Sequence, residues 1–124
     1  MQWEGEPGAA PPLLGLHRRG APMALVSAPL GDELAMQGYA GSIAISGTAD
    51  EIAITSPKGG RLHRFSSSGA FLGSLSRSDI CGLAPHPKGL VATDGLGGLI
   101  LIGTDGPRAL TRSDHAWDNH IVRL

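Results

Sequence analysis

The chain has 124 residues, 41% hydrophobic and 17% charged, with ten basic side chains against eleven acidic ones and a formal charge of −1. That is the size of one ordinary domain. Its scattered basic residues, with Arg18-Arg19 the only adjacent pair, and its five dispersed aromatics argue against a nucleic-acid partner, which would need a basic patch or a stacking platform.

Nineteen glycines and nine prolines, just under a quarter of the chain, favour short strands and turns over long helices. No run approaches the ~20 apolar residues of a membrane span, and no basic stretch followed by an apolar one opens the sequence, so neither a spanning helix nor an export signal is expected within it. Cys81 is the only cysteine, which excludes an internal disulfide; its small apolar neighbours predict a buried thiol.

Taken from the N-terminus, MQWEG reads as a strand and EPGAAPP as a turn or linker, and LLGLHRRGAPMALVSAP reads as a hairpin bending at Gly20. GDELAMQGY, residues 31–39, suits one or two helical turns but has no clear amphipathic face. SIAIS at 42–46 is the next strand. Ile52 and Ile54 then alternate with Ala53 and Thr55, a period of two that marks another strand.

From there the chain repeats itself. TSPKGGR at 55–61 returns as TDGLGGL at 93–99, with Thr55 and Thr93, Gly59 and Gly97, and Gly60 and Gly98 each 38 residues apart. Extending that alignment sets EIAITSPKGGRLHRFSSSGAFLG against GLVATDGLGGLILIGTDGPRALT. Both copies read as an apolar run, a Gly-rich turn, a second run and a polar turn. Leu99-Ile100-Leu101-Ile102 is continuous, the pattern of a strand covered on both faces. The glycine pairs Gly59-Gly60 and Gly97-Gly98 are structural turn residues, free to take positive φ. Gly69 in SSSG and Gly106 in TDG are expected in the left-handed position of the following hairpins, after which AFLGSLS and PRALTR suit outer edge strands, Pro107 included.

Upstream in each copy lies one more strand, SIAIS in the first and ICGLA at 80–84 in the second, and NHIVRL falls where a third copy begins. The expected fold class is therefore all-β, a β-propeller segment of four-stranded antiparallel blades, with a β-sandwich of hairpins as the alternative. Residues 1–38 supply outer strands of one blade, 39–76 and 77–114 two full blades, and 115–124 the first strand of a closing blade. Propellers need four or more blades and the chain holds about 3.3 repeats, so it is expected either to be the C-terminal part of a longer propeller or to close by self-association, with an open stack bearing an exposed edge as a third option.

GYAGSIAIS, ITSPKGGRL, GAFLG, CGLAP, VATDGLGG and AWDNHIVRL resemble a bacterial family known as domain of unknown function 1513, most specifically at Trp117-Asp118-Asn119-His120. The resemblance implies a periplasmic, YVTN-type propeller of about seven blades. It also implies a twin-arginine export signal, which this sequence lacks, and an imelysin-like iron-uptake protein as partner. It carries no catalytic residue and no cofactor.

The densest polar cluster is SDHAWDNH at 113–120. His115, Asp118, Asn119 and His120 are the candidate ligand or metal residues, because imidazole and carboxylate suit divalent transition metals. On a strand, only Asp118 and His120 share a face, too few donors to fix a metal unaided, and turn hydrogen bonding is the competing role for Asp118 and Asn119. Trp117 is expected to pack between blades. Asp94 and Asp105 precede glycines without the spacing of a calcium loop and read as turn residues. His63, His86 and the His17-Arg18-Arg19 run have no partner spacing that suggests catalysis. The expected function is a non-enzymatic binding or scaffold propeller of the periplasm, linked to iron uptake; the alternative is a metal- or quinone-dependent oxidoreductase-like propeller.

Overall fold

A computed structural model describes residue 5 and residues 8–122. The strand expected at MQWEG, apart from Gly5, and the end of NHIVRL, Arg123 and Leu124, lie outside the described residues. The fold is all-β. A hairpin of β1 (Leu14–Leu16) and β2 (Ala24–Val26) is followed by one short helix, α1 (Leu30–Ala35), and then by two four-stranded antiparallel sheets.

The first sheet runs in chain order through β3 (Ser42–Ile45), β4 (Glu51–Ser56), β5 (Arg61–Ser66) and β6 (Phe71–Ser76). The second does the same through β7 (Ile80–His86), β8 (Gly89–Asp94), β9 (Gly98–Gly103) and β10 (Gly106–Arg112). Each strand therefore pairs with its sequence neighbour, the arrangement that short glycine-rich turns allow. The hairpin glycines Gly69 and Gly106 have φ of 94° and 93°. Gly20 bends the β1–β2 hairpin with φ 80°.

The alternation read from the sequence sorts side chains onto two faces. Ile52, Ile54 and Phe65 point to a core shared with Leu13, Leu14, Ala28 and Met36 from the hairpin and α1. Ala53 and Leu62 point the other way, into a core with Ile80, Leu83, Leu90, Ala92, Ile100 and Ile102 of the second sheet. The first sheet is thus covered on both sides. At about 1.5–3 kcal/mol for each large side chain removed from water, these two layers are the main stabilising term. An Arg64–Glu51 pair, Nε to Oε2 at 2.9 Å, adds a charged clasp between β5 and β4.

The repeat is not strictly 38 residues. β3 and β4 match β7 and β8 at that offset, but the turn after β4 spans residues 57–60 while the turn after β8 spans only 95–97. The offset then drops to 37, so that the left-handed residues are Gly60 (φ 60°) and Gly97 (φ 88°), not the aligned pairs Gly59-Gly60 and Gly97-Gly98. Face parity agrees with the shorter offset, since His63 and Phe65 and their counterparts Ile100 and Ile102 all face the preceding layer. Gly59 is required for another reason: a Cβ there would collide with the carbonyl oxygen of Ala35.

Candidate functional site

The first strands of the two sheets lie at the same edge of the structure, and the terminal segment joins them there. Ser42 Oγ on β3 accepts the N–H of Leu83 on β7 at 3.2 Å, and Thr55 Oγ1 on β4 donates to the carbonyl of Cys81 at 2.5 Å. Leu83 in turn forms a parallel bridge with His120. β7 therefore meets both β3 and the terminal segment at Leu83. Both ties come from small hydroxyl side chains on inward-facing positions, where a larger residue would hold the layers apart.

Cys81 is buried at the centre of this junction. Its Sγ lies 3.4 Å from the carbonyl of Trp117 and 3.5 Å from Oγ1 of Thr93, while Thr93 Oγ1 accepts the N–H of Gly82 at 3.1 Å. Gly82 has no room for a side chain, because Thr93, Ile121 and the carbonyl of Asp118 crowd its Cβ position. The chain from 117 to 121 is thus seated directly on β7.

This seating distributes the cluster at 113–120 unevenly. Asn119 Nδ2 donates to the Tyr39 hydroxyl at 3.4 Å, and His120 lines a cavity of about 310 Å³ with Leu13, Ala40, Ser42, Ile43 and Ile54. Asp118 Oδ1 accepts the N–H of its own neighbour Asn119 at 2.6 Å. His115 stands against the Trp117 ring, with centroids 6.2 Å apart. So His120 lines this mostly apolar recess from an exposed position, the partly buried Asn119 reaches Tyr39, and the exposed Asp118 and His115 do not line the recess. Among the described residues no three His, Cys, Asp or Glu side chains converge as a metal site.

Trp117 departs from the expectation that its indole packs between layers. It is 42% exposed, and only its backbone carbonyl reaches β7. Tight seating of the segment at Gly82 leaves the large ring no room on the inner side. His86 turns its Nδ1 to the N–H of Lys88, and Arg18 donates to the carbonyl of Ser67 in the β5–β6 turn of the first sheet.

The strongest polar arrangement lies at the other end of β8. Asp94 is 1% exposed; its Oδ1 accepts the N–H groups of Leu96 (2.9 Å) and Gly98 (2.8 Å), and its Oδ2 accepts Nε of Arg77 at 2.5 Å. Burial pushes its pKa up, but the Gly98 N–H, the Arg77 guanidinium and the Leu96 N–H together hold it below the ordinary aspartate value. Ser56, the counterpart of Asp94, closes its own turn in the same way, accepting the N–H of Gly59 at 3.0 Å and donating to the carbonyl of Met36 at 2.8 Å. Asp94 is a turn residue, as read from the sequence, yet its partner Arg77 was not evident there. Beside it, Lys58, Arg61, Arg77 and Asp79 rim a shallow depression formed by the β4–β5 turn and the β6–β7 link.

Sequence reasoning also passed over Tyr39, which pairs with Asn119, and Ser42, which lines the recess with His120. Their only sequence signal is position: Ser42 opens β3 and Tyr39 lies just before it. No helix among the described residues is long and apolar enough to cross a membrane. A family model described as "Protein of unknown function (DUF1513)" matches residues 1–124. No curated protein matches the chain.

Proposed function

The chain belongs to the family described as protein of unknown function DUF1513, and we propose on that footing that it forms part of a non-enzymatic β-propeller that binds or scaffolds. Its four-stranded units are rigid blades, and the loops and inner-strand ends they carry present a recognition surface to a small ligand or a protein partner. The observation that carries this reading is the meeting of first strands, β3 with β7 through Ser42 and Leu83, and of β7 with the terminal segment through the parallel bridge at His120. Successive inner strands around a common centre are what a propeller needs, whereas a sandwich has no use for a third strand in that series.

The recess lined by His120 and Ser42, together with the neighbouring Asn119–Tyr39 pair, is the proposed contact point, since it lies where an inner edge would meet the central channel. A periplasmic location and an imelysin-like iron-uptake partner extend the proposal on the strength of the sequence resemblance. The alternative, a metal- or quinone-dependent oxidoreductase-like propeller, is not favoured by any convergent donor set among the described residues.

The two readings separate on protein purified under mild conditions. Metal analysis and an absorption spectrum are expected to find neither stoichiometric metal nor a chromophore, and calorimetric titration with the imelysin-like protein is expected to give saturable binding that Asn119→Ala weakens. Stoichiometric metal that disappears in His120→Ala would overturn the binding-protein reading.

A further inference from the structure

His63 on β5 is fully buried, and both of its ring nitrogens lack a hydrogen-bond partner. Buried polar atoms are nearly always paired, so two orphans on one ring call for an explanation. The ring stands edge-on to Phe71 (centroids 5.4 Å apart) and Phe65 (6.3 Å). At the equivalent place in the second sheet the chain uses Ile100, which is buried and apolar. The repeat therefore calls for a hydrocarbon, and this copy carries a titratable ring instead.

The cover over this face is the β1–β2 hairpin together with α1, which reaches the sheet through Asp32 and through Met36 at its end. The helix has six residues, no side-chain cap at its N-terminus, and Leu30 and Leu34 exposed. A helix so short has no stability of its own in water. Three contacts hold its side of the core: Ser74 Oγ to Asp32 at 2.8 Å, Ser56 Oγ to the carbonyl of Met36, and the Glu33 carboxylate to the N–H of Ala28 at 2.6 Å. Ser74 is also the residue directly opposite His63 on β6.

We infer that α1 is a pH-released cover: a proton taken up by His63 is incompatible with the closed helix, and acidification frees α1 from the first sheet. The groups that face the ring decide the sign. β4 offers Ile54, β6 offers Ser74 and Phe71, and the β1 and β2 strands carry no titratable side chain. Burial holds the His63 pKa below the ordinary histidine value; Asp32 on α1 pulls it up and Arg61 on β5 pushes it down. Glu33, the remaining acid of α1, has its pKa raised by burial and by Asp32, against the lowering effect of the Ala28 N–H. A histidine with a lowered folded-state pKa contributes full stability above its unfolded value and loses it as pH falls through that value. Glu33 has the opposite sign, its contribution being lost as pH rises through its raised pKa; it is common to the unmodified chain and to His63→Ile, so the difference between the two isolates the histidine.

Hydrogen exchange of the 30–37 amides, corrected for the intrinsic pH dependence of exchange, tests the inference on the unmodified chain and on His63→Ile, which restores the residue used at Ile100. With an open-state pKa of about 6.5, the opening equilibrium is expected to rise by up to about tenfold between pH 7.5 and 5.5 in the unmodified chain and to show no such rise in His63→Ile. Equal pH dependence in both proteins would overturn it. So would an NMR titration of the unmodified chain that placed the His63 pKa at or above the ordinary value, a measurement that holds even if the variant does not fold.

Discussion

Arg77 donates its Nε–H to Asp94 across a 2.5 Å contact, so the link that leaves the first sheet is fastened to the turn that closes β8 in the second. The two residues differ sharply in setting: the Asp94 side chain is 2% exposed and that of Arg77 39%. The aspartate is the committed partner. Its other oxygen already caps the turn through the Leu96 and Gly98 amides, which leaves Arg77 as the charge that balances it.

Removing Arg77 should therefore cost more than an ordinary surface substitution. Arg77→Ala is expected to destabilise the chain by about 1–2 kcal/mol, the lower part of the range for a hydrogen bond to a charged group, because the arginine is partly solvent-screened. Asp94→Asn should cost at least as much, since it also weakens the turn. Because the Asp94 pKa is lowered in the folded state, its contribution is present above the ordinary aspartate value of about 3.9 and fades as pH falls below it. Urea unfolding at pH 7 and pH 3 checks both: the gap between the unmodified chain and Arg77→Ala should narrow at the lower pH.

The two turn glycines should not respond alike to alanine. Both take positive φ, which costs a non-glycine residue roughly 1–2 kcal/mol. At Gly60 a Cβ would meet the Arg77 carbonyl at 3.3 Å, tight but tolerable, whereas at Gly97 it would run into the Ser113 carbonyl. Thermal denaturation should accordingly show a loss near that range for Gly60→Ala and a larger one for Gly97→Ala. Equal losses would mean that the shortened turn after β8 does not press against the segment that follows β10.

These positions also mark how far the sequence could be read. Strand identity was legible because Ile52 and Ile54 alternate with smaller residues and because Leu99–Ile102 is apolar throughout, periodicities that survive any change in the turns. The turn offset was not legible, since a register of 38 matches both glycines while the register of 37 found in the fold matches only Gly60 with Gly97, and face parity is needed to choose it. Arg77–Asp94 and Asn119–Tyr39 join residues far apart in sequence, and no local pattern encodes such pairs. Trp117 misled for the converse reason: its size suggested burial, but the close approach of its backbone to β7 leaves the ring outside.

Thr55 offers a test of how the two sheets hold together. It is fully buried, and its hydroxyl is donated to the Cys81 carbonyl on the neighbouring sheet. Thr55→Val keeps the shape and leaves that carbonyl without the donor. A loss of about 1–3 kcal/mol is expected from chemical denaturation, the cost of a buried group left unsatisfied. A neutral result would remove this hydrogen bond from the account of inter-sheet packing.

Cys81 can report on the same junction without any mutation. Its thiol is 3% exposed, enclosed by Thr93 and the Trp117 carbonyl, so a thiol reagent can reach it only when the terminal segment lifts from β7. Labelling under native conditions should be slow and should reach the rate of a free thiol in denaturant, because reaction needs both access and the thiolate. Gly82→Ala gives the argument its edge. The added methyl group would press on Thr93, Ile121 and the Asp118 carbonyl at once, and the segment from 117 to 121 would have to move outward. Faster native labelling in Gly82→Ala, at urea concentrations well below the unfolding midpoint, is the expected outcome. If the rate changed only in step with global unfolding, the segment would be released with the sheets themselves and Gly82 would matter for stability alone.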